Sequence, residues 1–406
     1  MGAAPGPDAA GALAALSRSD RGLLLSALIA RLGSFDLAEE ALSEAMESAL
    51  VHWSRSGIPA SPRGWLLKAA GRKAIDQIRR KGSEERKAGA LALIGPAHGG
   101  GEDEDFPDER LRLIFTCCHP ALEEKSRVAL TLRTVCGLTT RQIAAMFLDN
   151  EPAMGQRLSR AKAKIAAAGI RYAVPEREAW PGRLSAVLTV IYLIFTAGYA
   201  AGPEGGPDLA EEAIFLARLI NRLCPDDPEI EGCLALLLLT HARRAARISP
   251  DGESVPPDRQ DRSLWDGAAI AEGRGLLGAA IQRRAPGPFQ LKAAIADCHM
   301  AENGPDWPQI AMLYGGLMRF EPTPVVRLSR AVALAEAGAL ATGLSEIERL
   351  GEVLEGYQPY HAASAELFRR AGDRRRALAA YEKAISLAVS DADRRFLMRR
   401  RAEAAT

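Results

Sequence analysis

Cysteine is scarce in this chain, and so are long apolar runs, strand-like alternation and any excess of one charge. Six cysteines, Cys117, Cys118, Cys136, Cys224, Cys233 and Cys298, are spread over 406 residues. They sit mostly in apolar periodic segments, which excludes a secreted disulfide framework and points to a reducing compartment. Lysine and arginine number 52 against 51 aspartates and glutamates, for a net charge of +1. The overall balance therefore names no partner, and any nucleic-acid surface has to be a local patch. The run CLALLLLTHA, residues 233 to 242, is taken as the longest apolar stretch and is too short for a bilayer. No early segment combines a basic start, an apolar centre and a cleavage site. A soluble cytoplasmic protein without a membrane partner is expected. The sequence also lacks a phosphate-binding glycine loop, a nucleophile elbow and a metalloprotease helix. No enzymatic activity, catalytic residue, cofactor or metal is expected.

What is present is helical periodicity. Apolar residues recur three and four apart almost throughout, so the expected fold class is all-α. Three stretches rich in Gly, Pro or acidic residues interrupt it: AHGGGEDEDFPDE (97 to 109), RYAVPEREAWPGR (171 to 183) and ISPDGESVPPDRQD (248 to 261). The first two are expected to be domain boundaries and the third a long loop within a helical array. Beyond them Gly304, Gly338 and Gly372 stand 34 residues apart, each after a helical run. That is the period of a tetratricopeptide helix pair. After Gly372, Ala377, Tyr381 and Ala384 fit paired helices, small residues allowing close approach and the aromatic filling the groove. Gln309 and Gly343, at the position of Ala377, fit that pattern poorly.

Two segments carry basic helical faces. LTTRQIAAMFLDNEPAMGQRLSRAKAKI (138 to 165) has the form of a helix-turn-helix. Thr139 is placed to cap the first helix and Asn150 the second, with Ile143, Met146 and Phe147 inward in one and Met154, Leu158, Ala161 and Ile165 in the other. Pro152 suits a first helical turn. Gln156, Arg157, Ser159, Arg160 and Lys164 are left on outer or flanking faces, a set suited to base edges and phosphates in a major groove. The second segment, SPRGWLLKAAGRKAIDQIRRK (61 to 81), should bury Leu67, Ala70, Ala74 and Ile78. Its polar face carries Lys68, Arg72, Asp76, Arg79 and Arg80, with Trp65 at the start. Cations beside an aromatic suit parted DNA strands, since unpaired bases stack while the backbone is held. Upstream, FDLAEEALSEAMESAL (35 to 50) should bury Ala41, Leu42, Ala45 and Met46 and expose Glu39, Glu40, Glu44 and Glu47. Such a face is either plain solvated surface or a dock for a basic protein.

In order, these pieces resemble a bacterial RNA polymerase sigma factor of the extracytoplasmic-function type, in the group with a helical-repeat extension. The resemblance also rests on LRLIFTCCHPAL, RVALTLRTVCGLTTRQIAAMFL, RSLWDGAAIAEG and YQPYHAASAELFRRAGDRRRALAAYEKAISLA, and covers nearly the whole chain. It implies sigma region two over residues 10 to 88, with Asp36, Glu39, Glu40 and Glu44 on the helix that meets core polymerase. Trp65, Lys68, Arg72, Lys73, Arg79 and Arg80 would lie on or beside the face that melts and holds the minus-ten element. Residues 89 to 109 would be an acidic linker, whose stretch from Glu102 to Glu109 would thread the polymerase near the RNA path. Region four would span 110 to 173, with Arg141, Gln156, Arg157, Arg160 and Lys164 at the minus-thirty-five element. Residues 174 to 406 would form a tetratricopeptide-like helical extension that regulates the protein and takes a protein or small-molecule partner of its own. Gly71 departs from the family pattern, in which Arg is common at that position, and a glycine there should weaken the helix.

The alternative is a helix-turn-helix regulator with a peptide- or ligand-sensing repeat domain that is not a sigma factor. It leaves the basic face of residues 61 to 81 unexplained. FTCCHPA (115 to 121) falls at the entry of the region-four bundle. Cys117, Cys118, His119 and Cys136 could supply four zinc ligands by count, or a redox-sensitive thiol, but adjacent cysteines diverge on a helix. Packing is the expected role of both thiols.

Overall fold

The structure is a computed structural model that describes residues 9–80, 109–147, 149–176, 178–201 and 208–405. The expected acidic linker lies almost wholly outside them, as do the side chains of Arg80 and Met146. Among the described residues the chain is helical, with a single isolated antiparallel bridge between Ile248 and Ser254 as its nearest approach to β-structure. It divides into two compact units, one ending at Glu212 and the other beginning at Ala213.

The first unit opens with α1 (Ala9–Ser19), α2 (Arg21–Leu32), α3 (Phe35–Ser56) and α4 (Pro62–Arg80). Gly33 ends α2 at φ 66°, a left-handed conformation that costs glycine little, and its N–H reaches the Ile29 carbonyl. Ser34 then starts α3 by accepting from the Leu37 N–H at 3.4 Å. The buried stripe of α3 is Ala38, Ala41, Leu42, Ala45, Ala49 and Trp53, largely small residues that bring α4 close. Met46, expected in that stripe, is only half-buried. The matching face of α4 is Leu66, Leu67, Ala70, Ala74 and Gln77. Gln77 takes the inward place expected of Ile78, because its amide finds a partner across the helix pair.

A second set follows: α5 (Arg110–Cys117), α6 (Glu124–Thr134), α7 (Thr140–Met146) and α8 (Glu151–Ala167). Helix α9 (Trp180–Ala201) packs on α5 and α6 within the same unit. Residues 180 to 199 of α9 contain an 18-residue stretch of mean hydropathy 1.4 and are long and apolar enough to cross a membrane by length and composition. This run is longer than the 233 to 242 stretch singled out in the sequence. Half of it is buried inside the protein, and Leu184, Val187, Leu188, Ile191 and Ile194 are among its buried side chains, as in the core helix of a globular unit.

Helix α10 (Leu209–Leu223) spans the unit boundary, and the second unit continues with α11 (Pro228–His241), α12 (Gly267–Gln282) and α13 (Pro288–Cys298). Every residue from Ile230 to Leu239 is buried, and α12 and α13 both pack on this central helix. Then come α14 (Trp307–Leu317), α15 (Pro324–Glu336), α16 (Leu340–Leu350), α17 (Gln358–Arg370), α18 (Arg374–Leu387) and α19 (Asp391–Ala405). Gly304, Gly338 and Gly372 occupy equivalent turns at φ 95°, 98° and 79°, joining α13 to α14, α15 to α16 and α17 to α18. Ala377, Tyr381 and Ala384 are buried as expected, and the Tyr381 hydroxyl donates to Glu366 at 3.1 Å. Gln309 is exposed, whereas Gly343 lies against α15 so closely that a Cβ there would be 2.7 Å from the Ala331 carbonyl oxygen. What reads as a poor fit in the sequence is a tighter version of the small position.

The 248 to 261 segment is packed against the last helix. Arg395 donates to the Gly252 carbonyl at 3.0 Å, Arg399 pairs with Glu253 at 2.9 Å, and Ser254 donates to Asp393 at 2.5 Å.

Candidate functional site

The helix-turn-helix is built as its caps require. Thr139 Oγ1 accepts from the Gln142 N–H at 3.2 Å, while Gln142 Oε1 accepts from the Thr139 N–H at 2.8 Å, a reciprocal box at the start of α7. Asn150 Oδ1 accepts from the Ala153 N–H at 2.8 Å, and Pro152 sits in the first turn of α8. Met154, Leu158, Ala161 and Ile165 are buried. This anchoring leaves Arg141, Gln156, Ser159, Arg160 and Lys164 exposed. Phe147, expected inward, is half-buried.

Arg157 is different. Its guanidinium lies 3.3 Å from Glu123 and 3.5 Å from Asp149, and its side chain is only 20% exposed. The structure therefore joins it to the start of α6 and the turn before α8. Lys162, absent from the sequence-based set, is 12% exposed and lies 2.5 Å from Glu39 and 3.0 Å from Asp36 on α3. Burial alone would lower its pKa, but Glu39 and Asp36 outweigh that and hold it above the ordinary lysine value. The periodicity of α8 gives no sign of this, because the partners lie more than a hundred residues earlier.

On α4, Lys68, Arg72 and Arg79 are exposed along one face. Lys73 is half-buried, 3.8 Å from Glu44. Trp65 is also half-buried. It stacks on His52 with centroids 5.6 Å apart and an interplanar angle of 19°, and meets Trp53 edge-on at 5.6 Å. Beside it opens a groove of about 530 Å³ lined by Glu47, Val51, His52, Arg55 and Trp65. Trp65 thus stands partly exposed at the wall of a groove, held by two neighbouring rings, and a partly exposed aromatic beside cations suits an unstacked base.

The four acidic residues of α3 do not share one environment. Asp36 is 80% exposed even with Lys162 against it. Glu39 is 14% exposed, with Arg133 at 3.7 Å in addition to Lys162. Glu40 faces solvent. Glu44 accepts from Gln77 Nε2 at 2.8 Å, which ties it to α4.

Around the paired cysteines, Cys117 Sγ lies 3.2 Å from Thr134 Oγ1 and Cys118 Sγ 3.5 Å from Thr131 Oγ1. The two sulfurs thus meet hydroxyls a turn apart on α6. Burial raises both thiol pKa values, that of Cys118 to about 11, and Cys136 is raised by burial and by Glu212. Protonated, buried thiols of this kind pack as small apolar groups. His119 instead turns its Nδ1 to accept from the Ala121 N–H at 3.1 Å. Among the described residues, no three His, Cys, Asp or Glu side chains gather as a metal site needs.

Comparison with known proteins follows the same division. Residues 16–84 match Sigma-70 region 2, residues 112–165 match Sigma-70, region 4, and residues 183–281 match a family of unknown function, DUF6596. The chain is similar to "Uncharacterized protein R00370" of Rhizobium meliloti (strain 1021), 40% identical over 398 residues, 93% of this chain and 92% of that one. With a region-2 helical module followed by a capped region-4 helix-turn-helix, the chain belongs to the sigma-70 family of transcription initiation factors, which bind core RNA polymerase and recognise promoter DNA.

Proposed function

We propose that this chain is an alternative sigma factor of the extracytoplasmic-function type, acting in the cytoplasm by binding energy alone. In this reading Asp36, Glu39, Glu40 and Glu44 on α3 meet core polymerase. Trp65, Lys68, Arg72, Lys73, Arg79 and Arg80 hold the minus-ten element as it opens. Arg141, Gln156, Arg160 and Lys164 meet the minus-thirty-five element, with Arg157 as a support for that helix. The observation that carries it is the pair of exposed cationic faces, on α4 and α8, in an otherwise neutral chain. Cations so placed neutralise phosphates, and Arg or Gln among them can address base edges.

Run-off transcription with purified core enzyme tests the reading. Promoter-dependent initiation is expected. Duplex binding without initiation would replace it with a helix-turn-helix regulator that is not a sigma factor.

We further propose that α13 to α18 form a tetratricopeptide-like array through which the protein is regulated and recruits a protein or small-molecule partner. The three left-handed glycine turns at one period support this reading. A chain ending at Ala201, compared with the full chain in the same transcription assay, checks it. Identical activity and identical regulation would eliminate that role.

A further inference from the structure

Within the second unit, the 34-residue period set by Gly304, Gly338 and Gly372 is broken by charge on α15. The residues eight before these glycines are Ala296, Arg330 and Ser364, and those three further back are Ala293, Arg327 and His361. Ala293, Ala296 and Ser364 are buried, and Ser364 Oγ donates to the Tyr360 carbonyl at 2.8 Å. Small or locally satisfied side chains are what stacked helix pairs need there, so packing does not call for the two arginines. Arg327 and Arg330 lie about one turn apart on α15 and line a cavity of about 250 Å³, to which α16 contributes Glu346 and Arg349. Arg349 pairs with Glu346 at 2.9 Å. Arg327 and Arg330 make no ion pair among the described residues, and the wall keeps a surplus of positive charge. Arg330 Nε is buried beside α14, where a Cβ on Gly315 would stand 3.9 Å away, and it meets no acceptor among the described residues. A buried N–H donor without an acceptor costs free energy. Met318, Ala331, Leu334 and Leu350 make the rest of the lining apolar.

We propose that this cavity binds a compact organic oxyanion, a carboxylate- or phosphate-bearing small molecule with a short apolar body. The proposal deepens the reading of α13 to α18 as a partner-binding array and rests on it for the ligand's part in regulation. Guanidinium forks match carboxylates and phosphates alike through paired N–H donors. Two forks on successive turns of one helix converge on a single anion, which supplies the acceptor that Arg330 Nε lacks among protein groups. The apolar lining then covers the body of the ligand. The volume lies just under the about 300–1,000 Å³ of pockets that enclose a drug-sized ligand. A compact molecule therefore fits, and a length of peptide does not.

Titration calorimetry on the full chain at fixed ionic strength tests the site, with inorganic phosphate and glutarate as probes and glutaramide as the uncharged control. Saturable binding of at least one probe, and none of glutaramide, is expected; the tighter probe tells phosphate recognition from carboxylate recognition. Arg330→Met should weaken that binding by about 10- to 100-fold, the value of a charged hydrogen-bonding group. The exposed Arg327→Met should weaken it by a smaller factor, and Arg375→Met, at an exposed arginine of α18 outside the cavity, should leave it unchanged. Thermal unfolding separates binding from folding: the preferred probe should raise the wild-type midpoint and leave that of Arg330→Met where it is. Without a probe, the Arg330→Met midpoint should not fall below wild type, because no protein partner is lost. Absence of saturable binding by both probes, or equal binding by wild type, Arg327→Met and Arg330→Met, overturns the site and leaves the regulatory reading of the array standing. Identical transcription and regulation by the full chain and the chain ending at Ala201 would instead remove that reading, and with it the ligand's part in regulation, whatever the calorimetry shows.

Discussion

Arg183 donates through Nη2 to the Phe115 carbonyl oxygen at 2.6 Å, and its guanidinium lies 5.9 Å from the centre of the Phe115 ring. The Phe115 carbonyl is one of the last four of α5, which have no acceptor role inside that helix. Trp180 packs on the same ring at 5.1 Å. These contacts make α9 part of the region-4 core, although the region-4 match ends at residue 165 and the DUF6596 match begins at 183. They also supply the first prediction.

A chain cut after residue 175 should lose cooperative melting of region 4, while one cut after Ala201 should keep it. The shorter chain lacks Leu184, Val187, Leu188, Ile191, Ile194 and Phe195, all buried. Each such side chain contributes about 1.5–3 kcal/mol, and a whole domain is stable by only about 5–15 kcal/mol. Thermal unfolding followed by circular dichroism distinguishes the two, and a sharp, unshifted transition in the shorter chain would contradict the role given to α9.

How much of this is legible in the sequence depends on whether a residue's partner is near or far along the chain. The caps of α7 and α8 are readable because Thr139 and Asn150 act within three residues. The glycine turns are readable because repetition announces them. Lys162 and Gln77 are not, since each is defined by a carboxylate on α3 that only tertiary packing brings near. Arg157 is recognisable as basic, but its pairing with Glu123 depends on how α6 and α8 cross. Gly343 reads as a misfit because a smaller residue at a close crossing looks like a departure until the approach of α15 is known.

Two glycines should respond to alanine in opposite directions. A Cβ added at Gly71 on α4 would have nothing within 4 Å, so Gly71→Ala should stabilise the first unit by about 0.5–1 kcal/mol through helix propensity. At Gly343 the added carbon would meet the Ala331 carbonyl oxygen at 2.7 Å and the Ala335 Cβ at 2.8 Å. Backbone would have to move, and Gly343→Ala should destabilise the second unit by about 1–3 kcal/mol. Urea midpoints measured on the full chain check both signs.

The buried thiols should be silent in the native protein. With the Cys118 pKa raised to about 11 by burial, its thiolate fraction at pH 8 is on the order of one in a thousand. Cys117, Cys118, Cys136 and Cys233 are expected to react with a thiol-specific disulfide reagent only after denaturation, and the partly buried Cys224 and Cys298 first. The sign for stability follows. The folded state holds the Cys118 proton more tightly than the unfolded chain, so this contribution is complete below pH 9 and is lost as pH rises through about 11. Rapid native labelling of Cys117 or Cys118 at pH 8 would show that the α5 end opens more readily than its packing indicates.

Arg157 and Arg160 lie three residues apart on α8 but should fail differently. Arg160 is exposed, whereas Arg157 is held by Glu123 and Asp149. If Arg160 grips a base, Arg160→Ala should cost about 1–3 kcal/mol on the preferred upstream element and much less on a scrambled duplex. Lys164→Ala should weaken both duplexes alike and lower the slope of log affinity against log salt by about 0.9, the value of one phosphate contact. Arg157→Ala should instead leave that slope unchanged and destabilise the helix-turn-helix by no more than about 1 kcal/mol, because Glu123 is 66% exposed and such pairs are weak. Titrating the three variants on both duplexes over a range of salt separates these roles. A base-selective loss in Arg157→Ala equal to that of Arg160→Ala would mean that DNA draws Arg157 away from Glu123 and Asp149, which would make the ion pair a feature of the unbound protein alone.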